Sequence, residues 1–142
     1  MILMDVNVLV YAFRKDAVNH VRYRDWLQSI INASDAYGLS DLVLSGFLRI
    51  VTHPKVFKQS STRTEAFEFI RTVRSQPNCR CIACGERHWE IFTDLCRMAD
   101  AKGNLVADAF LAALAIESGC EWITTDRDFA RFPGLKWRHP LD

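Results

Sequence analysis

The chain has 142 residues, 49% of them apolar, enough for one domain with a real core and too few for two ordinary ones. Eighteen Lys and Arg against 17 Asp and Glu leave a net charge of +1, which excludes a polycation and requires any nucleic-acid contact to come from a local basic patch or from metal. No stretch approaches the roughly 18 uninterrupted apolar residues of a membrane span, and MILMDVNVLV, broken by Asp5 and Asn7, lacks the basic start of a signal peptide, so the expectation is a soluble, cytoplasmic protein with no membrane contact.

Residues 1–4 form a short apolar run, read as a buried strand ending near Asp5, and VLVYAF at 8–13 follows as a short helix. Apolar residues Val18, Val21, Trp26 and Ile30 recur at helical spacing and predict a helix over about 18–32, with AYGLS at 36–40 as a second strand. DLVLSGFLRIVTHP predicts a largely buried helix stopped before Pro54. Thr62 and Glu65 have the spacing of a capping box for the helix TEAFEFIRTVRS, which ends before Pro77. RCIAC at 80–84 is the expected third strand, and Gly85 leads into the helix ERHWEIFTDLCRMADA. Asn104 is the expected N-cap of LVADAFLAALAIES, closed by Gly119. CEWITT and LKWRH complete the strands. Strands that alternate with helices point to a mainly parallel sheet covered on both faces.

The five cysteines, Cys79, Cys81, Cys84, Cys96 and Cys120, are odd in number and argue against a disulfide scaffold. No second pair completes a zinc set around Cys79, Cys81 and Cys84, so these are read as thiols buried in a strand.

In an open parallel sheet, ligands bind beyond the carboxyl ends of the strands. Asp5 follows ILM, Asp41 follows YGLS, and Asp126 follows EWITT with Asp128 two residues on. Asp108 lies one turn inside its helix on a face with Leu111, Ala112 and Ala115. Singly, an aspartate after a strand is a turn or cap residue as readily as a ligand. Asp108 resists that reading, because a carboxylate on an apolar face is costly unless paired or metal-bound. Convergent acids repel one another, and a divalent cation is the simplest compensation. Oxygen-only ligands favour Mg²⁺ or Mn²⁺.

The segments MDVNVLVYAF, LVLSGFLRIVTHPKVF and GNLVADAFLAALAIESGCEWITTDRDFARFPGL resemble PIN-domain ribonucleases and, within them, the VapC toxins of type II toxin–antitoxin pairs. The likeness spans almost the whole chain, and its last segment is the most specific, because it joins the Asp108 helix to TTDRDF at family spacing. The resemblance implies a PIN-like three-layer α/β/α sandwich with a mainly parallel, roughly five-stranded sheet, as a single domain over 1–142. It implies Mg²⁺ held by Asp5 and Asp108, with Asp126 completing the acidic pocket. Cleavage of a structured RNA such as tRNA or rRNA, neutralisation by a VapB-type antitoxin, and a homodimer belong to the same implication.

The sequence departs from the family in its middle helix, where E-x-x-R is usual and Gly46, Phe47, Leu48 and Arg49 stand. Asp41 is the candidate for the missing charge, directly or through water, with Asp128 a further candidate; a plain helix-start role fits Asp41 as well. Asn7 and Thr125 are expected beside the acids as groups that orient a carboxylate or a metal-bound water. Arg49 is open between a phosphate or partner contact and a helix-edge cation. Arg14, Lys15, Lys55, Lys58, Arg127 and Arg131 are the candidate RNA-facing cations, with a solvated face as the alternative. Trp26, Phe67, Phe69, Trp89, Phe92 and Phe110 are read as core or dimer packing before base stacking. The four histidines are expected to face solvent or cap helices.

A Mg²⁺-dependent endoribonuclease is the leading functional reading. The alternative is a catalytically degenerate PIN domain that binds RNA or a partner without cutting. A phosphatase with Asp5 as nucleophile is disfavoured, because Asn7 lacks the acid function that D-x-D chemistry needs. A dinucleotide-binding dehydrogenase is excluded, because no G-x-G-x-x-G follows the first strand.

Overall fold

The computed structural model describes all 142 residues. Five short strands, β1 (Ile2–Met4), β2 (Tyr37–Leu39), β3 (Cys79–Cys81), β4 (Glu121–Ile123) and β5 (Trp137–Arg138), form one sheet in the order β3-β2-β1-β4-β5. Every pairing is parallel, with Leu3 opposite Gly38 on one side and Trp122 on the other. Six helices flank the sheet: α1 (Val6–Phe13), α2 (His20–Asn32), α3 (Asp41–Val51), α4 (Arg63–Arg74), α5 (His88–Met98) and α6 (Asn104–Ser118). The arrangement is the expected α/β/α sandwich, with the sheet entirely parallel.

Strands of two or three residues suffice because the inner ones are covered on both faces. Leu3, Met4, Tyr37, Leu39, Trp122 and Ile123 are all buried, and each such side chain contributes roughly 1.5–3 kcal/mol. The helices bring Leu9, Phe47, Leu95 and Leu114 against them. Phe13, Phe47 and Phe69 pack together to join α1, α3 and α4. No helix is long and apolar enough to cross a membrane.

Local signals held where they rest on neighbouring residues. Thr62 caps α4, accepting from the Glu65 amide at 3.1 Å while its hydroxyl donates to the Glu65 carboxylate at 3.0 Å. Gly119 closes α6 in the left-handed region, φ 70°.

Several expectations are corrected. The second helix starts at His20 because Asn19 takes φ 60° and breaks the turn before it. The cap of α6 is Gly103, at φ 57° and ψ −129°, and Asn104 is already helical. The third strand ends at Cys81, and as a sheet edge it leaves Cys81 exposed, along with Cys84 beyond it, rather than buried. His88 does not face solvent: it is 3% exposed, donates from Nε2 to the Phe110 carbonyl at 2.9 Å, and ties α5 to α6. Arg14 is 8% exposed; its guanidinium donates to Asp16, Ser61 and the Gln59 carbonyl and stacks on Phe57, so it is a fold clamp rather than an RNA-facing cation. Phe67 and Trp89 stand out from the core at 48% and 67% exposure.

Candidate functional site

Asp5 is fixed by the strand-to-helix junction that follows β1. Its backbone amide donates to the Ile123 carbonyl at 2.9 Å, extending the pairing with β4 by one bond. Its carboxylate caps α1, with Oδ1 accepting the Val6 amide at 2.6 Å. An acid at that cap is favoured by the unpaired amides and the positive end of the helix dipole. The residue is only 6% exposed.

The second oxygen of Asp5 is held by side chains. The Thr124 hydroxyl donates to Oδ2 at 2.6 Å, and Asn7 Nδ2 donates to the same oxygen at 3.1 Å. Asn7 Nδ2 also donates to Thr124 Oγ1 at 3.2 Å, and Asn7 Oδ1 accepts the Thr125 amide at 3.2 Å. Thr124 Oγ1 accepts the Asp126 amide at 3.0 Å. The hydroxyl thus uses its one donor and both acceptor positions, and a single side chain after β4 links Asp5, Asn7 and Asp126.

Asp126 caps the short turn Arg127–Arg131, with Oδ1 accepting the Asp128 amide at 2.9 Å. Asp108 lies half-buried on α6. No hydrogen bond or ion pair engages its carboxylate, although Asp5, Asp126 and Arg14 are all partnered.

The acids sense one another. Burial pushes the Asp5 carboxyl up to about 6, against the lowering effect of the Thr124 and Val6 hydrogen bonds, and the charges of Asp108 and Asp126 add to the rise. Burial likewise pushes Asp108 up to about 6, with the charges of Asp126 and Asp128 adding to it. Asp5 and Asp126 are thus joined through Thr124, and Asp108 lies near enough for its charge to act on Asp5, with exposed Asp128 acting in turn on Asp108. No three His, Cys, Asp or Glu side chains are drawn into a ready-made ligand cluster. The donors are nonetheless all hard oxygens, and their mutual repulsion is what a divalent cation relieves. In donor chemistry, though not as a preformed ligand set, these residues suit such an ion.

Asp41 is not brought there. It stands at the start of α3 with its side chain 71% exposed and pairs with Arg74 at 3.4 Å. The cap of that helix is Ser40, whose hydroxyl accepts the Leu42 amide. Nor does anything fill the place of the absent glutamate. A Cβ at Gly46 would lie 3.1 Å from Val6 Cγ2, so α3 packs directly on the first residue of α1.

Thr124 is the functional residue that sequence reasoning missed in favour of its neighbour. Thr125 contributes its backbone amide to the network; Thr124, fully buried, contributes the side chain. Strand alternation was the available signal, since a one-residue shift turns a side chain to the opposite face.

Comparison with known proteins places these features in context. A family model described as PIN domain matches residues 2–135. The chain is 44% identical over 142 residues to ribonuclease VapC43 of Mycobacterium tuberculosis, covering 100% of this chain and 97% of that protein. Among solved structures, VapBC2 from Rickettsia felis, bound to a DNA fragment from its promoter, superposes with a TM-score of 0.72 at 20% identity, covering 98% of each chain. VapC20 of Mycobacterium tuberculosis, described as a sarcin–ricin loop cleaving toxin, superposes with a TM-score of 0.66 at 14% identity, covering 95% of this chain and 98% of that one.

Proposed function

This chain belongs to the PIN-domain family, with VapC ribonucleases among its relatives, and on that premise we propose that it is a metal-dependent endoribonuclease toxin acting as a single domain. Asp5 and Asp108 hold Mg²⁺, which Mn²⁺ can replace, and Asp126 completes the acidic pocket directly or through water. The observation that carries this reading is the pair of carboxyls pushed up to about 6 in one place, by burial and by the charges of their acidic neighbours. A hard divalent ion bound there supplies Lewis-acid stabilisation of a phosphodiester and a more acidic water.

The protein's own part is orientation and charge. Thr124 and Asn7 fix Oδ2 of the Asp5 carboxylate while the Val6 amide holds Oδ1, so the group is committed to one orientation. The Val6 amide holds the charged form of Asp5 against burial. Asp128, at the edge, adds negative charge without burial.

The substrate is a structured RNA such as tRNA or rRNA, a reading supported by the name of VapC20. The protein is neutralised by a VapB-type antitoxin and works as a homodimer, a reading supported by its likeness to a chain of the VapBC2 structure. A second reading, a PIN domain that binds RNA without cutting, draws on Gly46, which leaves the pocket without its fourth acid.

Purified protein with Mg²⁺ is expected to cleave RNA, and EDTA or Asp5→Ala to abolish cleavage. RNA retention without metal-dependent product favours the second reading. Cleavage indifferent to both treatments overturns the assignment of the acids.

A further inference from the structure

Beside the acids lies an open cleft of about 660 Å³, in the range of small-ligand sites. It is walled by α3 on one side and by α5 and α6 on the other, and most of its lining is apolar. Two of its lining residues, Val6 and Ala107, directly adjoin Asp5 and Asp108 in the chain, which sets the cleft next to the acidic site although the acids themselves do not line it. Phe92 and Phe110 line it as half-buried aromatic rings, packed edge to face with centroids 5.3 Å apart.

Gly46 keeps this space clear. A glutamate there would both press on Val6 and send a carboxylate into the cleft region, whereas hydrogen leaves an apolar wall. Arg49, one turn further along α3, also lines the cleft and is exposed. The chain's ion pairs engage Arg14, Arg24, Arg74, Arg97, Lys102, Arg127 and Arg138, which leaves the Arg49 guanidinium free.

We propose that this cleft is a nucleotide subsite, taking an unpaired base next to the phosphodiester that faces the acids, with Arg49 on a backbone phosphate. The inference rests on the ribonuclease reading above and deepens it. Aromatic edges and an apolar wall match the face of a base, which stacks without regard to hydrogen-bond pattern. A free guanidinium at the rim matches a phosphate, and phosphate contacts set register along a strand. The position lost as an acid therefore serves recognition: the substrate's base is held where other family members place a carboxylate.

The test uses the full chain and a panel of fluorescein-labelled single-stranded RNA octamers. Arg49→Gln removes the phosphate contact; Ala107→Leu, at an exposed helical position, fills the cleft with aliphatic bulk that has no π face. In EDTA, anisotropy is expected to show binding weakened about tenfold in each variant, with the salt slope of Arg49→Gln smaller by about one. In Mg²⁺, KM is expected to rise while kcat changes little, and Ala107→Leu to flatten the base preference beside the cut. Unchanged affinity and unchanged base preference in both variants overturn the subsite. So does a dimer that Ala107→Leu splits, by sedimentation velocity, without altering RNA binding, since a second copy then covers this face. Cleft-dependent binding with no metal-dependent cleavage defeats the ribonuclease reading and leaves the subsite standing; cleavage with cleft-independent binding does the reverse.

Discussion

Thr124 and Asp5 are 119 residues apart in sequence, yet the threonine hydroxyl donates to the aspartate at 2.6 Å inside the protein. Thr124 is wholly buried, and its oxygen also accepts from Asn7 and from the Asp126 amide. It follows that the orientation of the acidic site depends on a residue with no charge of its own.

Thr124→Val keeps the shape and removes the hydroxyl. The Asp126 amide then loses its partner and Asp5 Oδ2 keeps only the longer bond from Asn7, at a cost of about 1–3 kcal/mol. Asp5 also loses a bond that lowers its pKa, so its carboxyl rises from about 6 to a higher value. The expected result is a lower Tm and a Mg²⁺-dependent cleavage profile displaced to higher pH, with Thr124→Ser close to the natural protein. An unmoved pH profile in the valine variant would show that the hydroxyl only packs.

Asp108 offers a test of sign. Its folded pKa is about 6, above the ordinary 3.8, so the folded state holds its proton longer than the unfolded one. The stabilising difference is fully present below about pH 4 and is lost as pH rises through 6. Metal-free Asp108→Asn is therefore expected to be more stable than the natural protein at pH 7, by a few degrees in Tm, and equal to it near pH 4. Mg²⁺ should raise the Tm of the natural protein and not that of the variant. Equal melting at both pH values would count against the crowding of these acids.

Asp41 bears on the missing fourth acid. Because it pairs with Arg74 and is exposed, Asp41→Ala is expected to keep metal-dependent cleavage within about twofold and to cost less than about 1 kcal/mol of stability. A loss of cleavage comparable to that of Asp5→Ala would return Asp41 to the site.

Arg14 marks the boundary between binding and folding. Its guanidinium holds Asp16, Ser61 and the Gln59 carbonyl and stacks on Phe57. Arg14→Leu is expected to lower stability by about 1–3 kcal/mol, through unpaired polar groups and the lost ring contact. RNA affinity of the folded protein should be unchanged, as read by chemical denaturation beside anisotropy.

Much of this was legible in the residues alone. The order of strands and helices follows from apolar runs, the Thr62 capping box and the Gly119 stop, because propensity and capping act over a few neighbours. The placing of aspartates just after Met4 and Thr125 marked the site, because strand ends on a parallel sheet share one edge. Asp108 stood out as a charge on an apolar helix face.

Other features were decided only when distant segments met. Which of two adjacent threonines turns inward depends on the register of β4 against β1, and Thr124 won over Thr125. Asp41 turned to Arg74, a residue of the next helix, which no local pattern couples to it. Arg14 found Phe57, Gln59 and Ser61 more than 40 residues away, and His88 was drawn inside by the carbonyl of Phe110. The sequence by itself determined the elements and the acids at their ends, since those rest on local chemistry. The tertiary structure decided which polar side chains share one small volume, since burial and mutual charge exist only after the chain has closed on itself.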